Sequence, residues 1–461
     1  MSLPERFQES DHARAALLAL SALEQGHALR DGRLRSAELV ALYLERIGRL
    51  DPQVGSFVHV RGARAMAEAE AADRARARGA ALGPFHGVPV AVKDLHLLRG
   101  APVKFGSRAF RWLWSPVDDL TVKALRRAGF IVVGKTSTSE LALMPVVETD
   151  LHPPTRNPWD LTRTAGGSSG GAGAAVAAGF LPVAPGSDGA GSVRIPAALN
   201  GLFGLKPTRG GIPNPHAPND RFGMSAIGPL ARGLDDAAAL ADVLCGRDPH
   251  GPESWLSASH QPETRRLTVG VMVDAPLGFD TDPVRAKAAV EVGALLGAMG
   301  HTVRPLERVV GELEEFLPIY QRLFGDVPVL STGRLQPVTR AFRAAGRRIS
   351  GPDAQRTFER LQGRVLEGFE GLDLLVTPTT AIAPPPVGAF THLGPEAQFR
   401  AVAPLGAYTA AFNLTGQPAL TMPWGFDPQG LPIGVQLVGR NGDDPRLFAL
   451  ARSLQAQRPH A

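Results

Sequence analysis

Residues 165–171 read Ala-Gly-Gly-Ser-Ser-Gly-Gly, an Ala-rich run follows, and residues 186–196 read Gly-Ser-Asp-Gly-Ala-Gly-Ser-Val-Arg-Ile-Pro. Two glycine-dense turns, each carrying serine, thus flank a short apolar element. Serine in such backbone suits a nucleophile beside an oxyanion site. Glycine lets backbone N–H groups converge on one point, and the missing Cβ leaves room for a substrate carbonyl. Working outward, Ser169 to Ala178 is predicted as a short helix and Leu181 to Ala184 as a strand. Upstream, Gly87-Val-Pro-Val-Ala-Val-Lys93-Asp94 ends an apolar, β-branched run in a lysine, and Phe85 to Val92 is predicted as a strand leading to it.

These three pieces together resemble the amidase signature family of serine hydrolases. That family uses a nucleophilic serine 24 residues after a second serine held in a cis peptide bond, and a neutral lysine 75 residues before that second serine. Here Ser192 follows Ser168 by 24 (192 − 168), and Lys93 precedes it by 75 (168 − 93). The resemblance implies that Ser192 attacks, that Ser168 relays the proton, with Gly167–Ser168 as the cis bond, and that Lys93 is the base. A hydroxyl attacks an amide only if a base takes its proton, and an amine accepts one only when neutral. Burial must therefore lower the lysine pKa by several units from about 10.4. The apolar approach Val88 to Val92 is consistent with that.

The resemblance also assigns an oxyanion hole to the backbone N–H groups of Gly189, Ala190, Gly191 and Ser192. Structural support falls to Ser187, Asp188, Arg194 and Ser169, with Asp188 and Arg194 expected as an ion pair that holds the turn. The family usually has Thr-Asp-X-Gly-Gly-Ser where this chain has Ser187-Asp-Gly-Ala-Gly-Ser192, so Ala190 places a Cβ where a glycine is usual. Ala142, Leu143 and Met144 are expected in the loop that approaches the substrate. Asp94 and Asn157 read as structural acceptor and loop anchor, and Lys206 as part of the sheet after the active turn.

Other readings are weaker. Gly166-Gly-Ser-Ser-Gly170 fits the Gly-X-Ser-X-Gly elbow of Ser-His-Asp hydrolases, but a polar, proline-containing loop precedes it where a buried strand belongs. His216, His250, His260, His301 and His392 lie downstream without motif context. A phosphate-binding loop is excluded, because Gly201-Leu-Phe-Gly-Leu-Lys206-Pro has no Gly-Lys-Ser/Thr ending. The glutamine-hydrolysing component of the glutamyl-tRNA(Gln) amidotransferase shares the signature. It typically carries a Ser-Leu-Asp-Gln-Ile-Gly-Pro-like segment, and Met224-Ser-Ala-Ile-Gly-Pro229 here lacks the Asp-Gln pair. The reading is therefore a stand-alone amidase acting on non-peptide amides. Its motifs are similar to the branch that includes cyclic aminohexanoate dimer hydrolases.

Composition agrees with a globular enzyme. The chain has 461 residues, 44% hydrophobic and 20% charged, enough for a sizeable core. The net charge of +5 is spread over 49 dispersed Lys and Arg, which argues against nucleic-acid binding. The single cysteine, Cys245, excludes an internal disulfide and a multi-cysteine metal site, and reads as a small buried hydrophobe. No run of about 18 apolar residues occurs, so no membrane span is expected. The expectation is a cytoplasmic enzyme with a small-molecule amide substrate, no cofactor and no metal, with a homodimer left open as its assembly.

The fold class expected is α/β: one α/β/α domain with a large central mixed sheet covered by helices. Within it, 1–80 form N-terminal helices and 81–245 the signature core. Residues 246–370 form a variable, mostly helical substrate region, and 371–461 return to the core sheet. Helices are predicted at 12–30, 36–50 (capped by Ser36), 61–79, 118–128, 283–299 (capped by Asp282) and from 444. Strands are predicted at 130–133, 267–272, 372–377, 418–424 and 431–438.

Overall fold

The computed structural model describes residues 3–307, 311–329 and 331–458. Eleven strands lie among them: β1 (Phe57–Val60), β2 (Pro89–Lys93), β3 (Ile131–Thr136), β4 (Val183–Asp188), β5 (Phe203–Lys206), β6 (Ala226–Ala231), β7 (Thr268–Val271), β8 (Thr302–Pro305), β9 (Leu374–Pro378), β10 (Ala419–Phe426) and β11 (Pro432–Val438). Eight form one sheet in the order β4-β6-β5-β10-β11-β9-β7-β8. Pairing is antiparallel from β4 to β9 and parallel from β9 through β7 to β8, so the large sheet is mixed, as expected.

Helices cover both faces, and side-chain alternation along the strands shows how. Leu374 and Val376 pack into one core with the helices Leu234–Cys245, Pro283–Ala298 and Asp444–Gln457, while Leu375 between them packs into the other. A strand whose successive side chains both meet apolar layers must be apolar on both faces. The Leu374-Leu375-Val376 run meets that demand.

The lysine strand is not in this sheet. β2 pairs parallel with β3, and β3 pairs antiparallel with β1, in a separate three-stranded sheet. Sequence reading placed the helix-to-strand step at 118–133 in a single layered sheet, and it missed β1. A β-branched run does not reveal which neighbour it will pair with.

Local differences have local causes. The helix expected over 12–30 is two helices, His12–Ala19 and Ala22–Arg30, because Ser21 and Glu24 form a capping box that starts a new one. Ser36 does not cap the next helix. It is that helix's first residue, and the Asp73 carboxylate accepts from the N–H groups of Ser36 (2.7 Å) and Ala37 (3.1 Å). The freed Ser36 hydroxyl donates instead to Gly87 O (2.9 Å), anchoring the approach to β2. Asp282 caps Pro283–Ala298 as read. Cys245 is half-buried rather than buried, its thiol donating to Gly211 O.

Candidate active site

β2 delivers Lys93 to a fully buried position opposite the end of β4. Its Nζ hydrogen-bonds Ser168 Oγ at 2.7 Å and Ser187 Oγ at 2.9 Å. Burial drives the Lys93 pKa down to about 7, against a weaker upward pull from Asp188. An amine held near neutrality in this way can accept a proton.

Ser168 closes the first glycine turn, and the Gly167–Ser168 peptide bond is cis. Ser169 sews the two turns together. Its N–H donates to Ser192 O (3.2 Å), its hydroxyl donates to Ser187 O, and that hydroxyl's own oxygen, Ser169 Oγ, accepts from Ser187 N. Ser168 and Ser192 face one cavity of about 330 Å³, which Ser187 and Gly189 also line. There is no direct hydrogen bond between Ser168 Oγ and Ser192 Oγ among the described residues.

Asp188 and Arg194 form the expected ion pair, Oδ1 to Nη2 at 2.8 Å with both side chains fully buried. Burial alone would raise the Asp188 carboxyl. The charge and hydrogen bonds of Arg194 outweigh it and hold that carboxyl well below the usual carboxylate range. The same carboxylate accepts from Gly191 N (2.7 Å) and Val193 N (3.2 Å), so it shapes the turn directly. One consequence departs from the sequence reading. The Gly191 N–H points at Asp188 and is not free for an oxyanion. The N–H groups of Gly189, Ala190 and Ser192 have no acceptor among the described residues.

Gly191 sits at φ +124°, where a side chain is strained, and its missing Cβ leaves room for Thr409. Ala190 keeps an ordinary backbone conformation. It lines a second, smaller apolar cavity that also reaches Ser192, with Leu143, Ile195, Leu277 and Phe316 among its walls. Ala142 lines the larger cavity and Leu143 the smaller one, while Met144 lines neither. The Met144 N–H and carbonyl instead bracket the Ser139 hydroxyl.

Sequence reading missed the residues that brace the turn from the far end of the chain. Arg194 donates to Asn413 Oδ1 (2.6 Å), Gln436 Oε1 (2.8 Å) and Thr409 O (3.0 Å), and Asn413 Nδ2 donates back to Asp188 O (2.9 Å). Phe-Asn-Leu-Thr at 412–415 offers no local sign of that role. Asp94 and Asn157 act as read: Asp94 meets Lys135 Nζ at 2.7 Å, and Asn157 Nδ2 donates to Leu199 O at 2.8 Å. Lys206 ends β5 and donates to Pro207 O.

A histidine does lie near the site. His96 Nδ1 pairs with Asp119 Oδ2 at 3.0 Å, an arrangement that resembles two-thirds of a Ser-His-Asp triad. The third member is missing, because His96 Nε2 has no hydrogen-bond partner among the described residues. Among the described residues no group of three or more His, Cys, Asp or Glu could hold a metal ion, and no helix is long and apolar enough to cross a membrane.

Comparison with known proteins shows the family. The family described as Amidase matches residues 38–326 and 331–448. A Mycobacterium tuberculosis protein assigned as the amidase AmiB2 is 39% identical over 449 residues, spanning 95% of this chain and 96% of its own. A glutamyl-tRNA(Gln) amidotransferase component from Chloroflexus aggregans is 32% identical over 477 residues, spanning 93% and 94%. The solved 6-aminohexanoate cyclic dimer hydrolase superposes with a TM-score of 0.87 at 30% identity, covering 96% of this chain and 98% of that one.

Proposed function

The chain belongs to the amidase family of amide hydrolases, and from that premise we propose that Lys93, Ser168 and Ser192 carry its chemistry. Ser192 Oγ attacks the amide carbonyl carbon. Its proton passes through the Ser168 hydroxyl to the neutral Lys93 amine, and the N–H groups of Gly189, Ala190 and Ser192 receive the developing oxyanion. Collapse breaks the C–N bond, and the proton returns from Lys93 by the same relay to the departing ammonia or amine. Water, activated by the same base, then hydrolyses the Ser192 ester and restores the enzyme.

The observation that carries this reading is the buried Lys93 Nζ at 2.7 Å from Ser168 Oγ, with burial lowering its pKa to about 7. The base available to a serine is thus the amine. The His96–Asp119 pair reaches no serine. We treat the chain as a single amidase domain of the stand-alone kind, acting on small non-peptide amides in the cytoplasm. The two largely apolar cavities that meet at Ser192 favour an uncharged substrate.

The test is hydrolysis of a panel of aryl and alkyl amides, together with glutamine, by the wild type and by Ser192→Ala. Turnover of several amides, lost in the variant, is the expected result. Turnover that survives in Ser192→Ala refutes the nucleophile. Cleavage confined to glutamine indicates a glutaminase component deprived of its partners.

A further inference from the structure

His216 shares the large cavity with Ser168 and Ser192, although nothing in its sequence context marks it. Its lining combines apolar residues, among them Leu95, Phe105, Phe110 and Phe324, with the polar His216, Asn219, Asp220 and Ser225. Those four polar residues come from one segment, the loop between β5 and β6.

The state of His216 follows from its neighbours. Burial, aided by the nearby His96 ring and by Lys93, pushes its pKa down to about 3 against the pull of Asp119, so the ring is neutral. A neutral imidazole has one donor and one acceptor nitrogen. The His96 and His216 rings lie with centroids 5.5 Å apart, and the Nε2 atoms of both are sealed from solvent without a hydrogen-bond partner among the described residues. In either tautomer the neutral His216 ring brings a hydrogen-bonding nitrogen to the lining of the cavity. Asp220 and Ser225 lie on the same loop, where Asp220 Oδ2 accepts from Ser225 N and Ser225 Oγ accepts from Asn214 Nδ2.

Resting on the amidase reading above, we infer that His216 is a specificity-determining residue. It selects amides whose cavity-filling group carries a hydrogen-bonding group such as a hydroxyl over equally sized apolar ones. An apolar group seated against His216 takes the ring nitrogen out of water unmatched, whereas a hydroxyl pairs with it in either tautomer.

The experiment compares para-hydroxyl with para-methyl compounds, nearly equal in size, both as phenylacetamides and as acetanilides, so that the ring is presented on either side of the scissile bond. Wild type should favour the hydroxyl compound about tenfold or more in kcat/KM in at least one series, mainly through KM. His216→Phe should bring that ratio close to one, and His216→Gln, which keeps an acceptor, should restore part of it. No preference in either wild-type series, or a preference unchanged in His216→Phe, overturns the inference. Should His216→Phe fail to fold, the ratio in His216→Gln decides: an unaltered preference counts against, a reduced one for. If no amide is hydrolysed, the proposed function has failed, and calorimetric binding of the same pairs to Ser192→Ala still decides the selectivity. Tighter binding of the hydroxyl compounds supports it, and equal binding refutes it.

Discussion

The ionisation of Lys93 makes the sharpest prediction. An exposed lysine titrates near 10.5, and burial brings this one to about 7. Only the neutral amine accepts the serine proton, so kcat/KM should rise with pH through a single ionisation near 7 and level off above it. The population of the base sets the magnitude: about one half at pH 7, about a tenth at pH 6 and about nine-tenths at pH 8. An unshifted lysine would be neutral in only about one molecule in a thousand at pH 7.5, so burial supplies several hundredfold of usable base. Lys93→Ala removes both the base and the limb. A general base is worth roughly 10² to 10⁴ in rate, so the variant should lose at least that much and leave a residual rate flat across pH 6 to 8. The assay is initial-rate hydrolysis of one good amide from pH 5.5 to 9.5 with both proteins. A limb above pH 9, or a limb near 7 that persists in Lys93→Ala, would refute the assignment. The second result would move the base to a histidine.

Three further substitutions probe the turn. Gly191→Ala puts a Cβ into Thr409 at a backbone angle of φ +124°, and should cost about 2 kcal/mol in chemical denaturation together with most of the turnover. Arg194→Met leaves Asp188 buried and unpaired, and should cost about 3–5 kcal/mol, read as a lowered denaturation midpoint. Ser187→Ala removes the 2.9 Å hydrogen bond that holds the Lys93 amine beside Ser168, and should cut kcat about tenfold while thermal unfolding shifts little.

What could be read from the sequence follows the range of the interaction. The two serine turns are local: glycine content, serine position and the short helix between them all lie within 32 consecutive residues (165–196). Lys93 is 75 residues distant, yet its site was marked by the apolar strand that must bury it. The ion pair of Asp188 and Arg194 spans six positions and was equally visible. Asn413, Thr409 and Gln436 lie more than 200 residues from Arg194, and an asparagine between a phenylalanine and a leucine carries no trace of its partner. The assignment of β2 and β3 to their own small sheet was hidden for a related reason, since strand composition reports burial and not pairing.

The turn at 188–192 shows a different limit. Residue identity singled out the backbone N–H groups proposed to receive the oxyanion, but their aim depends on dihedral angles that identity does not specify. The Asp188 carboxylate is surrounded by three kinds of donor: the Arg194 guanidinium, the Asn413 amide and the backbone N–H groups of the turn. A buried carboxylate takes every hydrogen bond within reach, because an unmet lone pair is costly there. It therefore draws in the Gly191 N–H, and that pull bends the chain into the positive-φ conformation only glycine adopts easily. The same bend leaves the N–H groups of Gly189, Ala190 and Ser192 without internal acceptors. Asp188 thus shapes the site by consuming one donor so that its neighbours stay unpaired. This explains why Ala is accommodated at 190, where the backbone is ordinary, while 191 demands glycine.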